Sequence, residues 1–284
     1  MLGRKNEAGL MQTVIKIIDK AARGLLRDFY EINQMQWAYT SRIRFVDTAI
    51  RHSNQILLNE LRLCGDDYSI ISSETGIEAN INPRGKWIVC PLDGVYNYLC
   101  GYPHWALSVA LEYDGSIVLG VTYDPLRGEA FYAEQERGMF LNKRKVSVSP
   151  HDNFDMAHVV CSRIPSALRP FLEKIIDSKD RHEAHFASAQ NGAAMRNIFA
   201  SANREIKHSG AISLDLAYVA CGRLSAAIMG DVMPHEIAAG NILISEAGGI
   251  LTGIKDGLFL LAANFKLYNA ICDIIEQTTD INLQ

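Results

Sequence analysis

Apolar residues recur every three to four positions from Leu10 to Ile32, through Val14, Ile17, Ala21, Leu25 and Phe29. That spacing draws one apolar stripe along a helix and predicts a long amphipathic helix near the start of the chain. A second helical pattern runs over residues 48–63, with Ile56, Leu57 and Leu61 facing inward. The period then changes. Tyr68–Ser72 and residues 87–90 are short β-prone runs bounded by polar and Gly/Pro segments. Residues 105–112, 116–124, 129–133 and 138–141 continue as strands, and Asp114-Gly115 between two of them is a hairpin signal.

Around Ser149-Pro150 the pattern shifts again. Helical spacing over residues 165–178, 191–201, 212–221 and 237–247 alternates with short strand-like runs. Residues 259–262 are a buried strand candidate and 265–277 a closing helix. The shift sets a soft boundary: an α+β half over residues 1–150 and an α/β half over residues 151–284, together one compact unit. Internal repeats, low-complexity segments and charge blocks do not interrupt the chain.

Composition narrows the class. Of 284 residues, 48% are hydrophobic and 21% charged, the profile of a globular chain with a sizeable core. Lys and Arg number 28 against 32 Asp and Glu, a formal net charge of −4, which excludes a uniformly basic nucleic-acid binder while leaving room for a local patch. No apolar run approaches the ~18–20 residues that span a bilayer, so no membrane role is expected. Residues 1–7 carry charges and lead straight into the amphipathic stretch without a signal-peptide core, which predicts a cytosolic protein. Cys64, Cys90, Cys100, Cys161, Cys221 and Cys272 form no C-x-x-C pair and no zinc spacing; they are expected as small hydrophobes, not as a disulfide framework.

Three segments do not look like plain scaffold. In the first, the buried run Trp87-Ile88-Val89-Cys90 enters a Pro91-Leu92-Asp93-Gly94 turn, followed by Val95-Tyr96-Asn97-Tyr98. A carboxylate and free backbone N–H groups at a strand end suit a metal ion bridging to an anion. The second is Pro234-His235-Glu236-Ile237-Ala238-Ala239-Gly240, followed by Glu246-Ala247-Gly248-Gly249. The third is Ser72-Ser73-Glu74-Thr75-Gly76. Taken singly, each is an ordinary turn or an acid at a helix start.

Together, in this order and spacing, they resemble the inositol monophosphatase family, and most closely its bacterial extragenic suppressor branch. Supporting stretches are Phe45-Val46, residues 103–110, the turn over residues 138–142 and residues 214–224, so the resemblance spans nearly the whole chain. It implies a layered αβαβα sandwich of the sugar-phosphatase type and a homodimer. It also implies Mg²⁺-dependent hydrolysis of a small phosphorylated substrate, inositol-1-phosphate being typical. In such two-metal chemistry the cations polarise the phosphate and activate a water.

Carried over residue by residue, the resemblance makes Glu74, Asp93 and Glu236 metal ligands, with Leu92 lending its backbone carbonyl. It places Gly94, Val95, Gly210 and Ala211 around the phosphate, where backbone N–H groups would hold it. Several positions depart from the family pattern. Cys90 replaces a metal-bridging aspartate, and a thiol is a weak Mg²⁺ ligand. Val95 replaces the threonine that orients the water; losing such a group costs about 10²–10⁴ in rate. Glu236 replaces an aspartate and His235 a tryptophan. Met229 stands where a glutamate contacts substrate hydroxyls. Ile50 and Ser73 replace further acids.

Two functions follow. One is a phosphomonoesterase with altered, weak or absent activity, on Glu74, Asp93 and the degenerate Val95 position. The other is non-catalytic: bacterial members of this branch are implicated in transcription antitermination and ribosome biogenesis through transcription-machinery partners. With Cys90 and His235 nearby, the remaining acids could take a softer cation such as Zn²⁺, although a buried inert thiol is the plainer expectation. His182 and His185 fall in a polar stretch and are expected on a solvated surface. His104 is expected to be structural, and residues 142–145 to form a solvated loop. Arg196, Arg204 and Lys207 could approach an anion, with nothing in the sequence to orient them.

Overall fold

The computed structural model describes residues 7–34, 39–65, 68–78, 85–151, 157–162, 207–254 and 259–278. The predicted helices over 165–178 and 191–201 lie outside them, as do His182, His185, Arg196 and Arg204.

Two long helices open the chain, α1 (Glu7–Gln34) and α2 (Tyr39–Arg62). The stripe predicted for α1 is buried along its length, from Val14 through Ile17, Ala21, Leu25 and Phe29 to Ile32. Helix α2 starts well before the predicted Thr48. Its first turns expose Tyr39 and Ile43, so no apolar stripe announces them.

Eight strands then form one sheet: β1 (Tyr68–Ser72), β2 (Gly76–Glu78), β3 (Gly85–Asp93), β4 (Ala106–Tyr113), β5 (Ser116–Asp124), β6 (Glu129–Glu134), β7 (Gly138–Leu141) and β8 (Arg144–Val146). Their spatial order is β2-β1-β3-β4-β5-β6-β7-β8. Only β1 and β3 run parallel; the other pairs are antiparallel. The β4–β5 turn is where the hairpin signal put it, with Asp114 and Gly115 at φ 49° and 79°. The stretch 142–145, expected as a loop, instead feeds edge strand β8, although Lys143, Arg144 and Lys145 remain exposed. A charged, three-residue edge strand carries no period-2 apolar signal. A short helix that periodicity did not announce, α3 (Val95–Cys100), follows β3.

A second sheet has the order β11-β12-β10-β9, from β9 (Val159–Ser162), β10 (Ala226–Gly230), β11 (Ile250–Ile254) and β12 (Phe259–Ala263). Helices α4 (Ile212–Ala220) and α5 (Pro234–Glu246) lie between the two sheets, touching strands of both. Helix α6 (Phe265–Thr278) packs on β12. The layers are therefore α1/α2, first sheet, α4/α5, second sheet, α6, which is the αβαβα sandwich expected. One apolar core fills the space between α1/α2 and the first sheet. Another joins Phe131 and Met139 of that sheet to α4, α5 and the second sheet.

The central helices meet through small residues. A Cβ added to Gly240 of α5 would lie 2.3 Å from Cδ1 of Leu216 on α4. That approach lets α5 drop onto the first sheet and carries Glu236 toward the end of β3.

Candidate functional site

The site is built where β3 ends. The β3–β4 pairing shifts register between Cys90 and Asp93, around Pro91, which has no N–H to give to a ladder. Cys90 and Asp93 are both buried, at 3% and 5% exposure. Gly94 then turns the chain into α3 with φ 80°. Any Cβ there would stand 2.9 Å from the His104 carbonyl oxygen, so the position admits only glycine without a shift. Val95 begins α3 with its apolar side chain exposed.

The opposite wall is the start of α4. Ser209 and Gly210, the latter at φ 80°, lead into Ala211, which is fully buried. The Asn97 amide ties the walls together, donating to the carbonyls of His104 and Ser209 at 2.7 Å each. Below them, Asp215 is buried, accepts a short hydrogen bond from the Ser209 hydroxyl, and has Oδ1 3.5 Å from His104 Nε2. Lys207 is exposed, its backbone pairing with Val159 and Cys161.

Each surviving carboxylate faces a donor from the protein itself. Asp93 Oδ2 accepts from both the backbone N–H and the hydroxyl of Ser213, at 2.6 Å each. Glu236 Oε2 accepts the Met233 backbone N–H at 2.8 Å, an acid capping the first turn of its own helix. Glu74, half-buried in the turn after β1, has Oε1 3.6 Å from Arg51 Nε. That turn is fixed from below: the Ser72 hydroxyl accepts from the Glu74 N–H at 3.2 Å and donates to Asn54 Oδ1 at 2.6 Å.

Electrostatics follow from burial. Burial pushes the Asp93 carboxyl up to about 6; the Ser213 hydrogen bonds oppose this, and the charges of Glu236 and Asp215 add to it. Burial also raises the Cys90 thiol well above its ordinary range, and Asp93 and Glu236 raise it further. Cys90 is thus a thiol at neutral pH, whereas a metal ligand would be the thiolate.

These donors do not fit a divalent cation. Among the described residues, no group of three or more His, Cys, Asp or Glu side chains is placed to hold a metal ion. Cys90, Asp93 and Glu236 are near enough to shift one another's ionisation, but one oxygen of each acid, Asp93 Oδ2 and Glu236 Oε2, is held by a protein donor, and the thiol keeps its proton. His235 adds no zinc set; its backbone carbonyl accepts a long hydrogen bond from Ser108 at 3.5 Å. Met229, on β10, is buried in the core against α4 and α5, at 1% exposure. The Leu92 backbone sits in β3, and its side chain belongs to the core.

Sequence reasoning singled out Cys90, Asp93 and Glu236, and these the fold does bring together. It missed Ser213, Asn97 and Asp215 as site-shaping groups. A usable signal existed: Ser213 and Asp215 are the polar side chains near the start of an otherwise apolar helix, ISLDLAYVA.

The layered sandwich and the meeting of the β3 and α4 ends define a phosphatase-type scaffold. The model of the inositol monophosphatase family matches residues 8–278, and the chain belongs to that family. It is 32% identical to the inositol-1-monophosphatase of Caulobacter vibrioides, over 92% of this chain and 98% of that protein. It is 29% identical to the Nus factor SuhB of Xylella fastidiosa, over 94% of this chain and 95% of that protein. Among solved structures, the extragenic suppressor protein suhB from Bartonella henselae superposes with a TM-score of 0.76 at 27% identity, covering 94% of this chain and 99% of the other.

Proposed function

We propose that this chain keeps the inositol monophosphatase scaffold with weak or absent Mg²⁺-dependent hydrolysis of phosphomonoesters such as inositol-1-phosphate. One observation carries the reading: the carboxylates Glu74, Asp93 and Glu236 each face a donor of the protein instead of converging on a shared point. Mg²⁺ needs near-octahedral oxygen ligands, and a protonated thiol at Cys90 supplies none. Val95 has no hydroxyl to orient a water. The backbone N–H groups of Gly94 and Gly210 would be the ones to meet an anion, because that of Ala211 already donates to the Ser209 hydroxyl at 3.3 Å.

The second reading is a regulatory protein that works through its surface, on transcription antitermination or ribosome biogenesis. It is favoured by the Nus factor SuhB relatives, which match nearly the full length of the chain. A cytoplasmic homodimer with a transcription-machinery partner, its two halves meeting near residue 150, completes this proposal. No helix among the described residues is long and apolar enough to cross a membrane.

The test is phosphate release from inositol-1-phosphate across a Mg²⁺ titration, beside the Caulobacter vibrioides relative. Turnover lower by about 10²-fold or more is expected, from the lost proton-handling group alone. Turnover within tenfold of the relative would overturn the proposal.

A further inference from the structure

The contact between Asp93 and Ser213 goes beyond the loss of a few ligands, although it rests on the reading above. Asp93 is buried at the end of β3, and a buried carboxylate requires donors. Ser213 is wholly buried in the first turn of α4, where helix N–H groups lack intrahelical partners and the helix dipole favours negative charge. Its N–H and its hydroxyl converge on the same oxygen, Oδ2, at 2.6 Å each. Two donor hydrogens there put positive partial charge where a cation would have to approach that oxygen.

We propose that Ser213 is a locking residue, whose hydroxyl and N–H hold Asp93 as an internal substitute for a cation. The backbone N–H would be available from almost any residue at this position. The hydroxyl is what this side chain adds, and it doubles the hold on one oxygen. Replacing Cys90, Val95 and Glu236 would therefore not reopen the centre while Ser213 remains. The centre is closed by a contact between β3, a strand of the first sheet, and α4, which lies between the sheets, as well as by missing ligands.

The test uses two full-length variants: Cys90→Asp/Val95→Thr/Glu236→Asp, and the same chain carrying Ser213→Ala. Each is titrated calorimetrically with Mn²⁺ and with Mg²⁺ alone. The expected result is an apparent Mn²⁺ affinity at least tenfold tighter when Ser213→Ala is added. Affinities equal within twofold would overturn the lock. In case the multiple variants fold poorly, a cycle in the wild-type chain gives an independent answer. Asp93→Ala, which leaves Ser213 no acceptor, is compared with Ser213→Ala and the double variant by urea midpoint. A double variant that loses less than the two singles together supports the lock; strictly additive losses overturn it. Turnover by the wild type decides the functional reading, whereas the difference between the paired variants decides the lock, so either can fail alone.

Discussion

The side-chain amide of Asn97 reaches the carbonyl of Ser209 at 2.7 Å, joining α3 to the turn before α4 across 112 positions of sequence. The same amide holds the His104 carbonyl at 2.7 Å, so one residue spans both walls of the site. A Cβ on Gly210 would approach Asn97 Oδ1 to 3.1 Å, which shows how closely the two segments sit.

Removing that bridge strands two partly buried carbonyls. Asn97→Ala is expected to cost about 1–3 kcal/mol, the usual penalty for leaving such groups unpaired. Asn97→Asp should cost more at neutral pH, because it sets a carboxylate against two carbonyl oxygens. Urea denaturation of the three proteins at pH 7 checks both. A wild-type midpoint for Asn97→Asp would show that the walls are held by something else.

Asp93 gives stability a pH dependence whose sign can be stated. Its carboxyl lies at about 6 in the folded chain, against 3.8 for an ordinary aspartate. Between those values the native state keeps a proton that the unfolded chain has released. The contribution of this group to stability is therefore largest at low pH and falls as pH rises through the window, by up to about 3 kcal/mol at about 1.36 kcal/mol per unit. Asp93→Asn keeps an oxygen for Ser213 and has no charge to lose. Relative to wild type, it should gain stability between pH 4.5 and pH 7, measured as the difference in urea midpoints. Parallel pH profiles for the two proteins would contradict this.

Gly240 sets the spacing of the central helices. A methyl group there would meet Leu216 at 2.3 Å and 2.8 Å, both inside contact distance and in a packed core. Gly240→Ala should therefore destabilise by about 1–3 kcal/mol, despite its better helix propensity. Pairing it with Leu216→Ala, which makes room, should recover part of the loss. A thermal melt of single and double variants decides the point; additive losses would mean that the clash is relieved elsewhere.

Much of the fold is legible from local pattern. The α1 stripe, strand β5 at residues 116–124 and the Asp114-Gly115 hairpin all follow from periodicity and turn chemistry. What escaped has a common cause. The start of α2 is exposed, β2 and β8 have three residues each, and α3 has six, too short for any period to register. Strands β9, β10 and β11 were likewise not singled out as strands, being four or five residues long.

For the site, the sequence by itself determined which chemical groups are present: a thiol at Cys90, no hydroxyl at Val95, and acids at Glu74, Asp93 and Glu236. Those identities persist whatever the fold does. Only the tertiary structure decided where the lone pairs point. Asp93 meets Ser213 across 120 positions because α4 packs under the end of β3, and Glu236 turns back onto Met233 because it heads a helix. A buried carboxylate takes the donors that packing brings to it. Those donors come from segments far apart in the chain, and no local pattern encodes their meeting.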